Sequence, residues 1–206
     1  MIPFDLPPKP TIWTPPKPAI IRAASMKDIA PHLAMPMMAT FAAGSVRGFR
    51  RASARTVTLV ADGEGTAIGD LNQGGTLGNA FNGTTSSALA DSAWKLSGSS
   101  SGYVGKTWSA AKIFSDATCY PPNNTSWTNN GSGNVTLNLR GKNGTAPSSA
   151  ADGTIIGTTG VFADSTATRT ITSTDTSTAW DHWILEIISA TTNEIGCAEL
   201  DWNELV

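Results

Sequence analysis

Charged side chains are scarce, at 15% of 206 residues, and the Ala/Leu/Glu/Lys mix that sustains long helices is thin beside abundant Gly, Ser, Thr and Asn. Cys119 and Cys197 are the two cysteines; they allow one bridge at most, which excludes a disulfide framework. No apolar run approaches the roughly 20 residues that span a bilayer, so membrane insertion is not expected. The start, Met1-Ile-Pro-Phe-Asp-Leu-Pro-Pro, carries neither a basic n-region nor an apolar h-region, and the expectation is synthesis in a cytoplasm. There are two histidines, His32 and His182, and no GxSxG, HExxH, P-loop or strand–helix GxGxxG pattern, so no enzymatic activity is expected.

What is present divides by charge. Residues 1–55 carry eight basic side chains against Asp5 and Asp28, a balance of +6; the remainder carries six basic and fourteen acidic, a balance of −8. Opposite signs in the two parts point to different tasks.

Residues 1–22 repeat a short unit, Pro7-Pro8-Lys9-Pro10 and Pro15-Pro16-Lys17-Pro18. Proline fixes φ and removes a donor, which predicts an extended polyproline arm. Phe4, Leu6, Ile12, Trp13, Ile20 and Ile21 are interspersed, a costly choice for a free tether. Such an arm spans roughly 60 Å, and docking along another subunit is favoured over folding back on its own domain. Residues 23–55 form a connecting segment with a short helix near Ser25–Ala30, capped by Ser25 and stopped by Pro31. Arg47, Arg50, Arg51 and Arg55 have a single aromatic, Phe49, among them, so a solvated or subunit-facing patch is preferred to a nucleic-acid site.

From residue 56 the pattern becomes that of short strands. Thr56–Val60 alternates apolar and polar residues. Further strands are predicted at Gly102–Trp108, Ala110–Phe114, Asn134–Arg140, Thr154–Gly157, Thr168–Ser173, Trp180–Ser189 and Glu194–Trp202. Turn signals such as Asn143-Gly144 and Asp152-Gly153 separate them. This predicts an all-β jelly-roll sandwich over 56–206, with residues 47–75 adding an edge strand or belonging to the arm.

Several segments resemble a known family. Ala80-Phe-Asn-Gly-Thr-Thr-Ser-Ser87 is similar to the discoidin-type opening AFDGxxST, Gly102-Tyr-Val-Gly-Lys-Thr-Trp108 to GYIGYDFG, and Leu137-Asn-Leu-Arg-Gly-Lys-Asn-Gly144 to ITLQGSNDG. Trp180-Asp-His-Trp-Ile-Leu-Glu-Ile187 is similar to YRYWRLEI, and Ile195-Gly-Cys-Ala-Glu-Leu200 to IAIAELEF. Together they resemble the galactose-binding-like, discoidin-type domains, in order across about 130 residues.

The resemblance implies a structural Ca2+ held by side chains of Asn82, Ser87 and Glu199 and carbonyls of Asn79, Thr84 and Ala198. Asn82 stands where the family places Asp, and hydrogen bonds without a metal are the alternative way to pin this loop. The resemblance also implies ligand loops with aromatic platforms, for which Tyr120 and Trp127 are the candidates; Trp127 in a core or subunit contact is the alternative. His182, between two tryptophans on a strand, reads as packed or surface-exposed rather than catalytic.

An arm, a connector and an outward sandwich resemble the layout of a bacteriophage virion component. The leading expectation is a non-enzymatic structural protein of the virion, associated with tail or fibre, present in several copies and contacting other virion structural proteins. The alternative is a carbohydrate-binding module recognising surface glycans.

Overall fold

The computed structural model describes residues 54–85, 89–122, 126–129, 131 and 133–206. The arm with Phe4, Leu6, Ile12, Trp13, Ile20 and Ile21, the helix at Ser25–Ala30 and the ligand candidate Ser87 lie outside the described residues. The rest is β-structure: β1 (Val57–Leu59), β2 (Thr66–Gly69), β3 (Ala93–Tyr120), β4 (Asn134–Lys142), β5 (Thr154–Ala163), β6 (Arg169–Thr172), β7 (Ala179–Cys197) and β8 (Glu199–Leu205). Short 3-10 turns at Leu77–Phe81 and Leu89–Asp91 interrupt it.

The sheet runs in the order β1-β8-β3-β7-β4-β5, with β2 and β6 also paired to β3. The 28-residue β3 makes one curled sheet into a sandwich. Its first half pairs with β2 (Ile68↔Gly105) and β7 (Tyr103↔Glu186). Its second half pairs with β8 and β6, where Ala117 faces both Trp202 and Ile171. The register against β7 shifts between Thr107 and Lys112, the kind of irregularity that bends a strand and lets it change sheets.

Strands expected separately at Gly102–Trp108 and Ala110–Phe114 are therefore one. β3 also begins earlier, because the Ser/Gly run at 97–102, which reads as a turn, still pairs irregularly with β7 (Ser99↔Asn193). Residues 54–75 supply two edge strands, β1 on β8 and β2 on β3. The alternation at Thr56–Val60 has the opposite sense to that expected: Val57 and Leu59 are exposed and Val60 is buried. Three residues on a sheet edge have too little cover to bury a face.

Alternate residues of the central strands fill the interior: Val104 and Trp108 of β3, Leu137 and Leu139 of β4, Trp183, Leu185 and Ile187 of β7, Leu200 and Trp202 of β8. Trp183 lies at its centre, edge-on to Trp108 (4.9 Å) and Phe114 (5.0 Å) and 5.7 Å from Trp202; aromatic pairs of this geometry add about 0.5–1.5 kcal/mol to burial. Gly105 is required where β3 crosses β7, since a Cβ there would stand 2.1 Å from the Trp183 carbonyl. At one edge Thr56 and Val206 exchange backbone hydrogen bonds of 2.8 and 2.9 Å. Cys119 and Cys197 are buried free thiols, and burial pushes both thiol pKa values up.

Candidate functional site

The first residue of β8, Glu199, is only 2% exposed. Leu200 and Trp202 turn into the core, so Glu199 and Asp201 share the opposite face of the strand. The 77–85 segment lies against that face. Glu199 Oε2 accepts the backbone N–H groups of Asn82 (3.1 Å) and Thr84 (3.2 Å). Within the segment, Asn82 Oδ1 accepts both the N–H (2.9 Å) and the hydroxyl of Thr84, a side-chain turn typical of Asn. Asn79 donates to the Ala90 carbonyl at 2.6 Å and accepts the Thr76 hydroxyl at 3.0 Å. Ala198 is buried and its N–H bonds to the Tyr120 carbonyl at 2.9 Å.

Two further carboxylates meet Glu199. One oxygen each from Asp62, Glu199 and Asp201 lie within 4.8 Å of one another. Asp62 belongs to the turn between β1 and β2, with Oδ2 beside Gly83. Asp201 takes a hydrogen bond from the Tyr120 hydroxyl. From across the interior Lys106, 2% exposed, donates to the Asp62 carbonyl and sits 4.5 Å above the Phe81 ring.

Burial lowers the Lys106 pKa, opposed by the attraction of Asp62, Glu199 and Glu64. Glu199 is pushed up by burial, held back by the Asn82 N–H and raised again by Asp62 and Asp201. Asp201 rises through burial and then the neighbouring Asp62 charge, with the Tyr120 hydroxyl opposing. Desolvation and like charge both disfavour ionisation of these carboxyls.

For the ion implied by the family resemblance, the donors are oxygens of the right hardness, and Glu199 lies directly against the 82–84 segment that carries Asn82 and Thr84. The side-chain oxygens of Asn79 and Asn82 and the Thr84 hydroxyl are engaged in hydrogen bonds within the segment. Glu199 Oε1 is buried without a well-formed hydrogen bond among the described residues, and the Leu200 backbone N–H is the donor nearest in effect to this carboxylate after that of Asn82. The neighbours that gather at Glu199 are Asp62 and Asp201. Asp201 was legible as the residue sharing a strand face with Glu199; Asp62, in a glycine-rich turn 137 residues before Glu199, carries no local signal.

The expectation that Trp127 offers a stacking face is corrected: it is 0% exposed, within the main core. Ser126 takes φ 64° and reverses the chain. Asp164 then accepts the N–H groups of Trp127 (3.0 Å) and Thr128 (3.2 Å) and the Thr128 hydroxyl (2.6 Å). The Trp127 carbonyl accepts Gly196 N–H at 3.0 Å. Tyr120 is half-buried with its hydroxyl directed at Asp201. Among the described residues no Trp, Tyr or Phe is fully exposed; Tyr120, Phe162 and Trp180 are partly open.

Trp180 stands at the start of β7, its ring against Gly141. The exposed Asn143 beside it accepts Asp181 N–H at 2.8 Å and donates to Ala179 at 3.1 Å, while Asp181 accepts Gly144 N–H at 2.8 Å. His182 has both ring nitrogens engaged, with Thr107 and the Gly144 carbonyl, each at 2.8 Å.

No family model matches the sequence, and no curated protein matches it. Solved structures do. The family 32 carbohydrate-binding module of C. perfringens NanJ, in complex with galactose, superposes with a TM-score of 0.52 at 13% identity, covering 72% of this chain and all (100%) of that module. The sandwich is a galactose-binding-like jelly roll. A second Clostridium perfringens family 32 module, in complex with GalNAc-β-1,3-galactose, gives a TM-score of 0.52 at 14% identity over 70% of this chain and 99% of that one. At such identity the likeness establishes the fold; ligand chemistry does not follow from it.

Proposed function

We propose that the jelly roll is a non-catalytic carbohydrate-binding domain directed at a surface glycan. The observation that carries this reading is the fold shared with two modules solved with galactose and with GalNAc-β-1,3-galactose. The place on this surface best suited to a sugar is the end of the sandwich at Trp180, Asn143 and Asp181. A partly open indole supplies an apolar face, and the exposed Asn143 amide and half-buried Asp181 carboxylate next to it supply donors and acceptors for hydroxyls beyond the bonds they make in the turn. With no fully open aromatic platform among the described residues, recognition depends on hydrogen bonds and is weak for a single site.

The virion reading rests on the arm, outside the described residues, and neither the fold nor the comparisons add to it. The full-length chain on a glycan array tests the proposal, with Trp180→Ala and Asn143→Ala alongside. Binding to a galactose-containing glycan that both variants lose is the expected result. Failure to bind any glycan overturns the function, and binding indifferent to both variants overturns the site.

A further inference from the structure

We propose that Arg169, laid against Phe162 at the β5–β6 end of the sandwich, binds the carboxylate of an acidic sugar. The assignment builds on the carbohydrate-binding reading above and adds to it a ligand class and a second place on the surface. The first observation comes from alternation along β6. Ile171 is 1% exposed and packs in the main core, so Arg169, two residues earlier, leaves the strand on the same inward face. Phe162 of β5 packs partly buried against that core, and the guanidinium lies 4.2 Å from its ring centroid, within cation–π range. A charge thus occupies a place where an apolar side chain would close the end of the sandwich without desolvating an ion.

The second observation is that this guanidinium has no acceptor. Among the described residues every other lysine and arginine is engaged: Lys95 by Asp70, Lys112 by Glu204, Arg140 by Glu186 and Lys142 by Asp152. Lys106 and Arg55 donate to the carbonyls of Asp62 and Thr176. Arg169 forms no hydrogen bond or ion pair with a described residue, and its Nε is buried without a partner. Asp164, the carboxylate nearest along the chain, accepts from Trp127 and Thr128 instead. Buried donors in folded proteins are almost always matched. Phe162 holds the group in place without using any of its N–H donors, and the residue is partly exposed, so a ligand can meet it from solvent.

A planar guanidinium with one face covered by a ring offers its edge, a pair of parallel N–H groups, to a planar acceptor with two oxygens. A carboxylate fits in shape and in charge, one anion to one unpaired cation. Thr166 and Thr168, exposed in the turn between β5 and β6, add hydroxyls for the rest of a sugar ring.

The test titrates the full-length chain with trigalacturonate and with its methyl ester, which keeps the sugars and removes the charge, reading affinity by ligand-observed NMR. The acid should bind about tenfold more tightly than the ester. Arg169→Met keeps an apolar stem on Phe162; it should abolish that preference while its melting temperature stays at or above that of the unmodified chain. Arg169→Lys, a point charge without the fork, should retain part of the preference. Arg55→Gln, which removes the same charge elsewhere, should retain all of it. Equal binding of acid and ester, or a preference that survives Arg169→Met, overturns the proposal. So does tighter binding of galactose 6-sulfate than of galacturonate, which makes the site one for sulfate, and so does equal binding of triglutamate, which removes the sugar from it. If neutral galactosides bind through Trp180 and the acid gains nothing, the Arg169 site alone fails. If no sugar binds in either form, the carbohydrate-binding reading fails with it.

Discussion

Glu199 Oε2 and the backbone N–H of Asn82 meet at 3.1 Å across 117 residues of sequence, and this bond, with its companion from Thr84, fixes the 77–85 segment against β8. Replacing Glu199 by Ala leaves two N–H groups without their charged acceptor and should cost about 3 kcal/mol. Glu199→Gln keeps an acceptor oxygen and removes repulsion with Asp62 and Asp201, so its loss should be smaller. Urea unfolding in chelator measures both; equal losses would show that hydrogen bonding to Oε2 is not the source of the stability.

Asp164 holds Trp127 inward by its backbone rather than by its ring. Asp164→Ala should free the 126–128 turn, which red-shifts tryptophan emission and raises acrylamide quenching. An unchanged spectrum would show that core packing alone retains the indole.

Asp175 accepts the Ser177 N–H and hydroxyl (both 2.9 Å) and the Thr178 N–H (3.0 Å) in the turn before β7, and hydrogen bonds from Thr178 and Ser177 hold its carboxyl well below the usual range. A depressed native pKa means the stabilisation is present above the unfolded pKa of about 3.9 and is lost as pH falls through the native value. Asp175→Ala should therefore melt below the unmodified chain at pH 7. The gap should narrow as pH falls below about 4. A gap that does not vary with pH would assign the loss to turn geometry rather than to ionisation.

Gly105 allows β3 to lie against Trp183 and Ile184 without room for a side chain. Gly105→Ala should destabilise by about 3 kcal/mol or prevent folding, read as insoluble expression or a lowered urea midpoint. A native-like midpoint would contradict the tight crossing.

Much of this fold was legible because most strands announce themselves locally. Leu137–Leu139 and Trp183–Ile187 send alternate residues into the main core, and Asn143-Gly144 and Asp152-Gly153 mark the end of β4 and the start of β5. The misread parts have physical causes that are not local. Trp127 sits among polar neighbours that signal a surface loop, and its burial is decided by Asp164, 37 residues away. β3 passes through a serine- and glycine-rich stretch that would be a turn in isolation, and becomes a strand because β7 lies alongside. At the site, Glu199 and Asp201 were readable as a strand face, whereas Asp62 joins them only once β1 has paired with β8.

The Thr56–Val206 pair has a consequence for anything fused to the domain. Because the first and last strands are antiparallel neighbours, attachments at either end leave from the same corner. With residues 1–53 removed, a short linker from Val206 to Ala54 should close the sandwich into a ring, and reopening it at the exposed turn beside Gly144 would give a circular permutant with the same sandwich and relocated ends.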